Sequence, residues 1–286
     1  MRCWGTMRVS VPRRPLLPRH APRTVLVGLA LAATSGLAGC GSDDGGDAAT
    51  AGAGGASRPT LTVQAAASLT GALTACAKDY GPAEVRLSFA GSDELAAQIR
   101  KGAGGDLFAA ANATLPQELA REGRVGTPVA FAGNELVLAV PAEGAKVDSL
   151  AAVAAGDDVR LAVGAPSVPV GSYTRSALGR LPAAQRTAIL DRVRTEEPDV
   201  KSVLAKLAQG VVDAAVVYRT DVAATKGAVR AIALPAAIRP AVSYEAAVVS
   251  GTRHAAAARA LLQDLRSGGC GRALRAAGFL APGAAG

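Results

Sequence analysis

The chain has 286 residues, half of them hydrophobic, with aromatic residues at only 3% and a formal charge of +8. That charge is concentrated at one end: residues 1–23 hold six arginines and no acid, and beyond them 25 basic residues face 23 acidic ones, a balance of +2. Lacking both a basic stripe and aromatic stacking platforms, the composition excludes a nucleic-acid groove.

An apolar run over 24–39 follows the arginines and ends Leu37-Ala38-Gly39-Cys40. A positive flank, a short apolar stretch and a small-residue cleavage site predict a signal peptide over 1–39. Its sixteen residues fall short of the roughly 20 that span a bilayer. The ending resembles a bacterial lipobox, which makes Cys40 the expected lipidation site. The protein is then lipid-anchored on the extracytoplasmic face of the cell membrane, in the periplasm or cell-wall space. Residues 40–59 have no periodicity and few large apolar side chains, as expected of a flexible linker.

From residue 60 onward, strand and helix patterns alternate. Strands are expected at 61–66, 85–90, 106–110, 135–140, 160–163, 211–218, 229–234 and 244–249. Helices are expected at 69–80, 93–101, 116–122, from 171, at 199–209 and at 255–267. Alternation of this kind predicts an α/β fold with parallel strands covered on both faces. Ligands of such sheets gather beyond the strand carboxyl ends, where helices begin. No internal repeat is visible. Cys76 and Cys270 are the only cysteines of the folded part; in an exported protein they form either a disulfide or two buried thiols.

Two junctions stand out. Gln64-Ala65-Ala66-Ala67-Ser68-Leu69-Thr70 and Phe89-Ala90-Gly91-Ser92-Asp93-Glu94-Leu95 each leave an apolar strand through small residues and reach a serine that opens a helix. Serines there are expected to cap their helices, and two converging helix N-termini make a seat for an anion. Tyr218 ends the apolar run Ala214-Ala215-Val216-Val217, where a phenol can donate one neutral hydrogen bond. Val170 and Val200 sit at helix starts with side chains that coordinate nothing, so any role belongs to their amides. Asp106 is expected to hold a strand end by accepting backbone hydrogen bonds. His254 is the only histidine after residue 40, and no nucleophile–His–acid triad or metal-ligand spacing can be assembled around it.

The motifs Ala65-Ala66-Ala67-Ser68-Leu69-Thr70, Phe89-Ala90-Gly91-Ser92, Gly102-Ala103-Gly104-Gly105-Asp106-Leu107-Phe108-Ala109, Asn134-Glu135-Leu136-Val137-Leu138, Val168-Pro169-Val170-Gly171-Ser172-Tyr173, Asp199-Val200 and Val217-Tyr218-Arg219-Thr220-Asp221 occur in that order. Together they resemble the periplasmic molybdate-binding proteins of ABC importers over nearly all of 60–286. The resemblance implies a type II periplasmic binding protein fold, α/β with mixed or parallel sheets and a cleft between two lobes. Lobe I would take 60–138 plus 236–286, and lobe II 139–235.

It also implies that molybdate or tungstate is held by the hydroxyls and amides of Ser68 and Ser92, the amides of Val170 and Val200, and the Tyr218 hydroxyl. The metal would be reached only through its oxygens, with no direct protein ligand, no cofactor and no catalysis. An importer's permease and ATPase would be the partners of a monomer. Sulfate or another small anion is the alternative ligand, and a cell-envelope hydrolase the alternative class. Three departures from the family pattern bear on selectivity: Val170 where alanine is common, Gly104-Gly105 in place of Pro-Ala, and Asn112 where aspartate is frequent.

Overall fold

The structure is a computed structural model that describes residues 58–284. The expected signal peptide, Cys40 and the linker up to residue 57 lie outside the described residues. Residues 58–284 fall within a single compact unit.

The first stretch runs β1 (Thr60–Ala66), α1 (Thr70–Asp79), β2 (Glu84–Ala90), α2 (Ser92–Arg100), β3 (Leu107–Ala110), α3 (Thr114–Arg121) and β4 (Val129–Asn134). The middle runs β5 (Leu136–Pro141), α4 (Leu150–Ala155), β6 (Leu161–Gly164), α5 (Pro169–Leu178), α6 (Ala183–Leu190), β7 (Val193–Glu197), α7 (Val200–Ala208), β8 (Ala214–Tyr218), α8 (Arg219–Ala223) and β9 (Val229–Ala233). The chain closes with β10 (Val242–Val248), α9 (Ala255–Ser267) and α10 (Gly269–Ala276).

These strands make two five-stranded sheets, ordered β2-β1-β3-β10-β4 and β7-β6-β8-β5-β9. Both are mixed. β1 pairs parallel with β2 and β3, while β10 runs antiparallel to β3 and β4. Likewise β6 pairs parallel with β7 and β8, while β5 runs antiparallel to β8 and β9. The sheets are mixed, as the resemblance implies, because β5 and β10, the strands on which the chain changes sheet, run antiparallel to their neighbours. β4 ends at Asn134 and β5 begins at Leu136, so Glu135 alone makes the first crossing. The second sheet therefore starts ahead of the boundary after residue 138 expected from sequence. Residues 234–241 carry the chain back.

The two sheets are copies of one topology, β1, β2, β3, β10 and β4 corresponding to β6, β7, β8, β5 and β9. A shared brace marks the equivalence. The Asp106 N–H donates to the Thr62 carbonyl and Asp106 Oδ2 accepts the Thr62 N–H at 2.7 Å. The Asp213 N–H donates to the Arg160 carbonyl and Asp213 Oδ2 accepts the Arg160 N–H at 2.9 Å. Each aspartate thus locks the start of a central strand to its parallel neighbour.

Residue type follows position. β3, β5 and β8 are buried almost throughout, as strands covered on both faces require; β2 alternates at a sheet edge. Strand β4, helices α4, α6, α8 and α10, and strand β7 are not expected from sequence. They are short, and the edge strand β7 is Val-Arg-Thr-Glu-Glu, too charged to stand out as apolar. Cys76 in α1 is disulfide-bonded to Cys270 in α10, tying two helices of the first sheet's layer.

Candidate functional site

Register brings the two serine turns together. Ala66 of β1 lies opposite Ala90 of β2, and each strand reaches its serine two residues later. On the other sheet β6 and β7 pair Gly164 with Glu197 and run into α5 and α7. All four chain turns line one small cavity, whose wall includes Ser68, Ser92, Val170, Val200 and Tyr218.

The sheets approach closely around it. A Cβ added at Gly91 would sit 2.4 Å from the Pro198 carbonyl oxygen, so only glycine lets these turns meet. Gly171 is equally confined, since a Cβ there would lie 2.0 Å from the Ala165 carbonyl oxygen. Ser167 Oγ donates to Asp93 Oδ2 at 2.7 Å, a hydrogen bond from the β6–α5 turn to the first turn of α2.

Neither serine caps its helix, contrary to the expectation from sequence. Ser68 lies in a 3-10 turn (Ala67–Leu69) ahead of α1, and Ser92 is the first residue of α2 behind Gly91; no side chain caps either helix. Ser92 Oγ instead accepts the Ala111 N–H at 3.1 Å, and Ser68 Oγ accepts the Tyr244 hydroxyl proton at 3.0 Å. Each oxygen already receives one donor from the protein, which leaves its own O–H for the cavity. The first-turn amides of these helices have no intrahelical acceptor.

Tyr218 closes the back of the cavity. It ends β8, is 1% exposed, and stands edge-on to Tyr244 with ring centroids 5.9 Å apart. Its hydroxyl has no hydrogen-bond partner among the described residues. Burial drives its pKa well above the ordinary 10, so the phenol stays neutral and keeps a proton to donate.

Val170 and Val200 contribute backbone only. Val170 is the second residue of α5 after Pro169, and Val200 the first of α7. The one carboxylate on the cavity wall, Asp199, is already engaged. Its Oδ1 accepts the Lys201 and Ser202 amides at 2.7 and 3.0 Å, and its Oδ2 the Ser202 hydroxyl at 2.8 Å. Among the described residues no lysine, arginine or histidine lines the cavity. Nearby, Lys201 Nζ pairs with the fully buried Asp221 at 2.7 Å. Burial raises the Asp221 pKa and Lys201 pulls it back.

Asp106 and His254 lie elsewhere. They meet at 3.2 Å in a different cleft, with Thr252 also donating to Asp106, so neither stands by the serines as a hydrolase would require. Sequence reasoning misses Tyr244, Asn134 and the Ala111 amide. Tyr244 sits in an alternating strand like any core aromatic, and its part in the site exists only through tertiary contact.

Residues 61–280 match the family of bacterial extracellular solute-binding proteins. The Mycobacterium tuberculosis molybdate-binding protein ModA is 33% identical over 228 residues, covering 78% of this chain and 85% of that protein. The Haemophilus influenzae molybdate-binding protein ModA is also 33% identical, over 77% of this chain and 90% of its own length. The Azotobacter vinelandii periplasmic molybdate-binding protein shares the fold with a TM-score of 0.67 at 24% identity, covering 78% of this chain and 99% of that one. With two sheets facing one small cavity and a family match over almost the whole described region, the chain belongs to the bacterial extracellular solute-binding proteins, which are carriers and not enzymes.

Proposed function

We propose that this protein captures molybdate outside the cytoplasm and hands it to the permease and ATPase of an ABC importer. The observation that carries the reading is a cavity wall of hydrogen-bond donors without a cation, containing a buried phenol with no protein hydrogen-bond partner. A tetrahedral dianion offers nothing but acceptors, and the Ser68 and Ser92 hydroxyls, the Val170 and Val200 amides and the Tyr218 hydroxyl all have protons to give. Helix N-termini from both sheets add the positive ends of their dipoles. The two molybdate-binding relatives support the choice of ion.

Magnitudes are adequate without a cation. A hydrogen bond to a charged group contributes about 1.5–3 kcal/mol net. Five to seven of them, counting the Ser68 and Ser92 amides, give roughly 8–20 kcal/mol, enough for the roughly 8 kcal/mol of a micromolar site after the cost of ion immobilisation and lobe closure. Tungstate has nearly the same size and charge and binds comparably. Sulfate is smaller and reaches fewer donors. Phosphate near neutral pH carries a proton that needs an acceptor, and a hydroxyl that turns to accept it gives up its own donation to the anion. Hinge closure about Glu135 and residues 234–241 buries the ion and shapes the surface a permease engages. Signal cleavage before Cys40 and lipidation of that residue tether the monomer to the membrane.

Isothermal titration of the purified protein with molybdate, tungstate, sulfate and phosphate tests the ligand. Molybdate and tungstate are expected at micromolar affinity or tighter, with sulfate and phosphate at least about tenfold weaker. Tight sulfate binding without a molybdate response overturns the choice of ion. Fatty-acid labelling that persists in Cys40→Ala overturns the anchor.

A further inference from the structure

Behind Ser68 a file of buried hydrogen bonds runs back to the crossing between the sheets. At its far end Asn134 Oδ1 accepts the Glu135 backbone N–H at 2.9 Å, which settles the orientation of the side-chain amide. Asn134 Nδ2 therefore donates, to Thr220 Oγ1 at 2.8 Å and to the Tyr244 hydroxyl at 3.3 Å. Tyr244 is 0% exposed, so its own proton must find an acceptor within the protein. Ser68 Oγ, at 3.0 Å, receives it. Each link fixes the polarity of the next, from a backbone amide whose direction cannot reverse to a serine at the cavity wall. Three aromatic edges hold the Tyr244 ring in place: Phe279 at 5.3 Å, Tyr218 at 5.9 Å and Phe131 at 6.2 Å between centroids.

We propose that Tyr244 is a positioning residue that locks Ser68 as a proton donor and so makes the cavity reject anions carrying a proton of their own. The inference rests on the oxyanion site proposed above. Ser92 is held in the same state by the Ala111 amide, which only proline at that position would remove. Tyr244 is thus the point at which this control can be released. Without the Tyr244 hydroxyl, the Ser68 O–H is no longer kept toward the cavity and can turn to the vacated side, which leaves Ser68 Oγ to accept the P–OH of hydrogen phosphate.

The experiment is a double-mutant cycle of Tyr244→Phe and Ser68→Ala on the intact protein, titrated with molybdate and with inorganic phosphate at neutral pH. Tyr244→Phe is expected to weaken molybdate about 3- to 10-fold, one hydrogen bond's worth, and to tighten phosphate, so that their affinity ratio shrinks by about tenfold or more. In the Ser68→Ala background the same substitution should leave the ratio where it is, because the effect passes through Ser68. Phe279→Leu loosens the ring without removing the hydroxyl and should also keep the ratio. A ratio unmoved by Tyr244→Phe, a change that persists without Ser68, or a Phe279→Leu that reproduces it, overturns the proposal. Should Tyr244→Phe not fold, Tyr244→Met, which also lacks the hydroxyl and fills the space with a flexible apolar side chain, takes its place in the cycle with the same expected outcome. Failure of the wild-type protein to bind molybdate sinks the site itself, whereas wild-type binding with an unchanged ratio sinks only the role of Tyr244.

Discussion

The two sheets have the same strand order, yet they meet the cavity with different chemistry. Ser68 at the β1–α1 junction corresponds to Val170 at β6–α5, and Ser92 at β2–α2 to Val200 at β7–α7. The first sheet brings hydroxyls that side-chain identity creates. At the matching turns the second brings peptide N–H groups that any residue except proline supplies, its one hydroxyl, Tyr218, coming from the end of β8. Topology therefore fixes where the four donors stand, and residue type decides only whether a donor is a side chain or the backbone. A second contrast is covalent: the first sheet's layer carries the Cys76–Cys270 disulfide across a sequence separation of 194, and the second has none among the described residues.

The covalent contrast gives the largest expected effect. Replacing Cys76 and Cys270 together by alanine should lower unfolding free energy by about 2–5 kcal/mol, as loss of a bridge closing a long loop does. Chemical denaturation measures it. Anion affinity should hardly change, because the bridge lies outside the cavity wall. A double variant as stable as the parent would mean that the first layer does not depend on its covalent tie.

The hydroxyl-against-amide contrast can be broken from either side. Ser68→Ala and Ser92→Ala should each weaken molybdate binding by about 1–3 kcal/mol, the cost of losing one partner of a buried hydrogen bond. Val200→Ala keeps the amide and should be nearly neutral. Val200→Pro removes it at the first position of a helix, where proline is well tolerated. Asp199 before it is already extended, with φ −160 and ψ 165, as a residue preceding proline prefers. Calorimetry should therefore find Val200→Pro as damaging as a serine loss while the fold survives. Equal affinities for Val200→Pro and Val200→Ala would remove the amide from the site.

The shared aspartate brace differs in its neighbours. Around Asp213, the Arg160 side chain first, then the Arg160 amide and Lys146, outweigh burial and hold the carboxyl at about 2. Around Asp106 burial pushes the carboxyl up, and Thr252, the Thr62 amide and His254 together bring it down. A carboxyl below its unfolded value of 3.8 stabilises the fold above that pH, and the contribution fades as pH falls toward 2. Arg160 is 45% exposed, and solvent screening limits the Asp213 contribution to about 1–2 kcal/mol. Asp213→Asn should cost that much at pH 7 and little near pH 2, with Asp106→Asn showing a shallower pH dependence. Parallel stability-against-pH curves for the two variants would erase the distinction.

These contrasts also explain what the sequence displays and what it withholds. The serine turns are legible because small residues and a hydroxyl follow apolar strands, and the α/β class because strand and helix periods alternate. The twofold plan is not, since the equivalent donor positions differ in residue type, Ser68 against Val170 and Ser92 against Val200, and Asp106 and Asp213 are what mark the correspondence. Antiparallel β5 and β10 stay hidden because a strand's direction depends on where the chain crosses, here a single residue, Glu135. Serines that accept from Tyr244 and Ala111 instead of capping helices are invisible for a similar reason. Those donors lie 176 and 19 residues away in sequence.

Tyr218 and Tyr244 offer the finest comparison, two buried phenols in edge contact, one unpartnered and one fully engaged. Tyr218→Phe deletes a polar group that the folded chain does not otherwise use, so without anion the variant should be as stable as the parent or more so, by up to about 1 kcal/mol. Its molybdate affinity should fall by about 0.5–1.5 kcal/mol, less than for the serines, since the ring still fills its place. Tyr244→Phe breaks two hydrogen bonds and should lose stability with or without the anion. Thermal melts in anion-free buffer, set beside titrations, separate the two tyrosines by the sign of the stability change. A Tyr218→Phe protein that loses stability and keeps its affinity would mean that the phenol serves the fold, leaving the anion to the serines and amides alone.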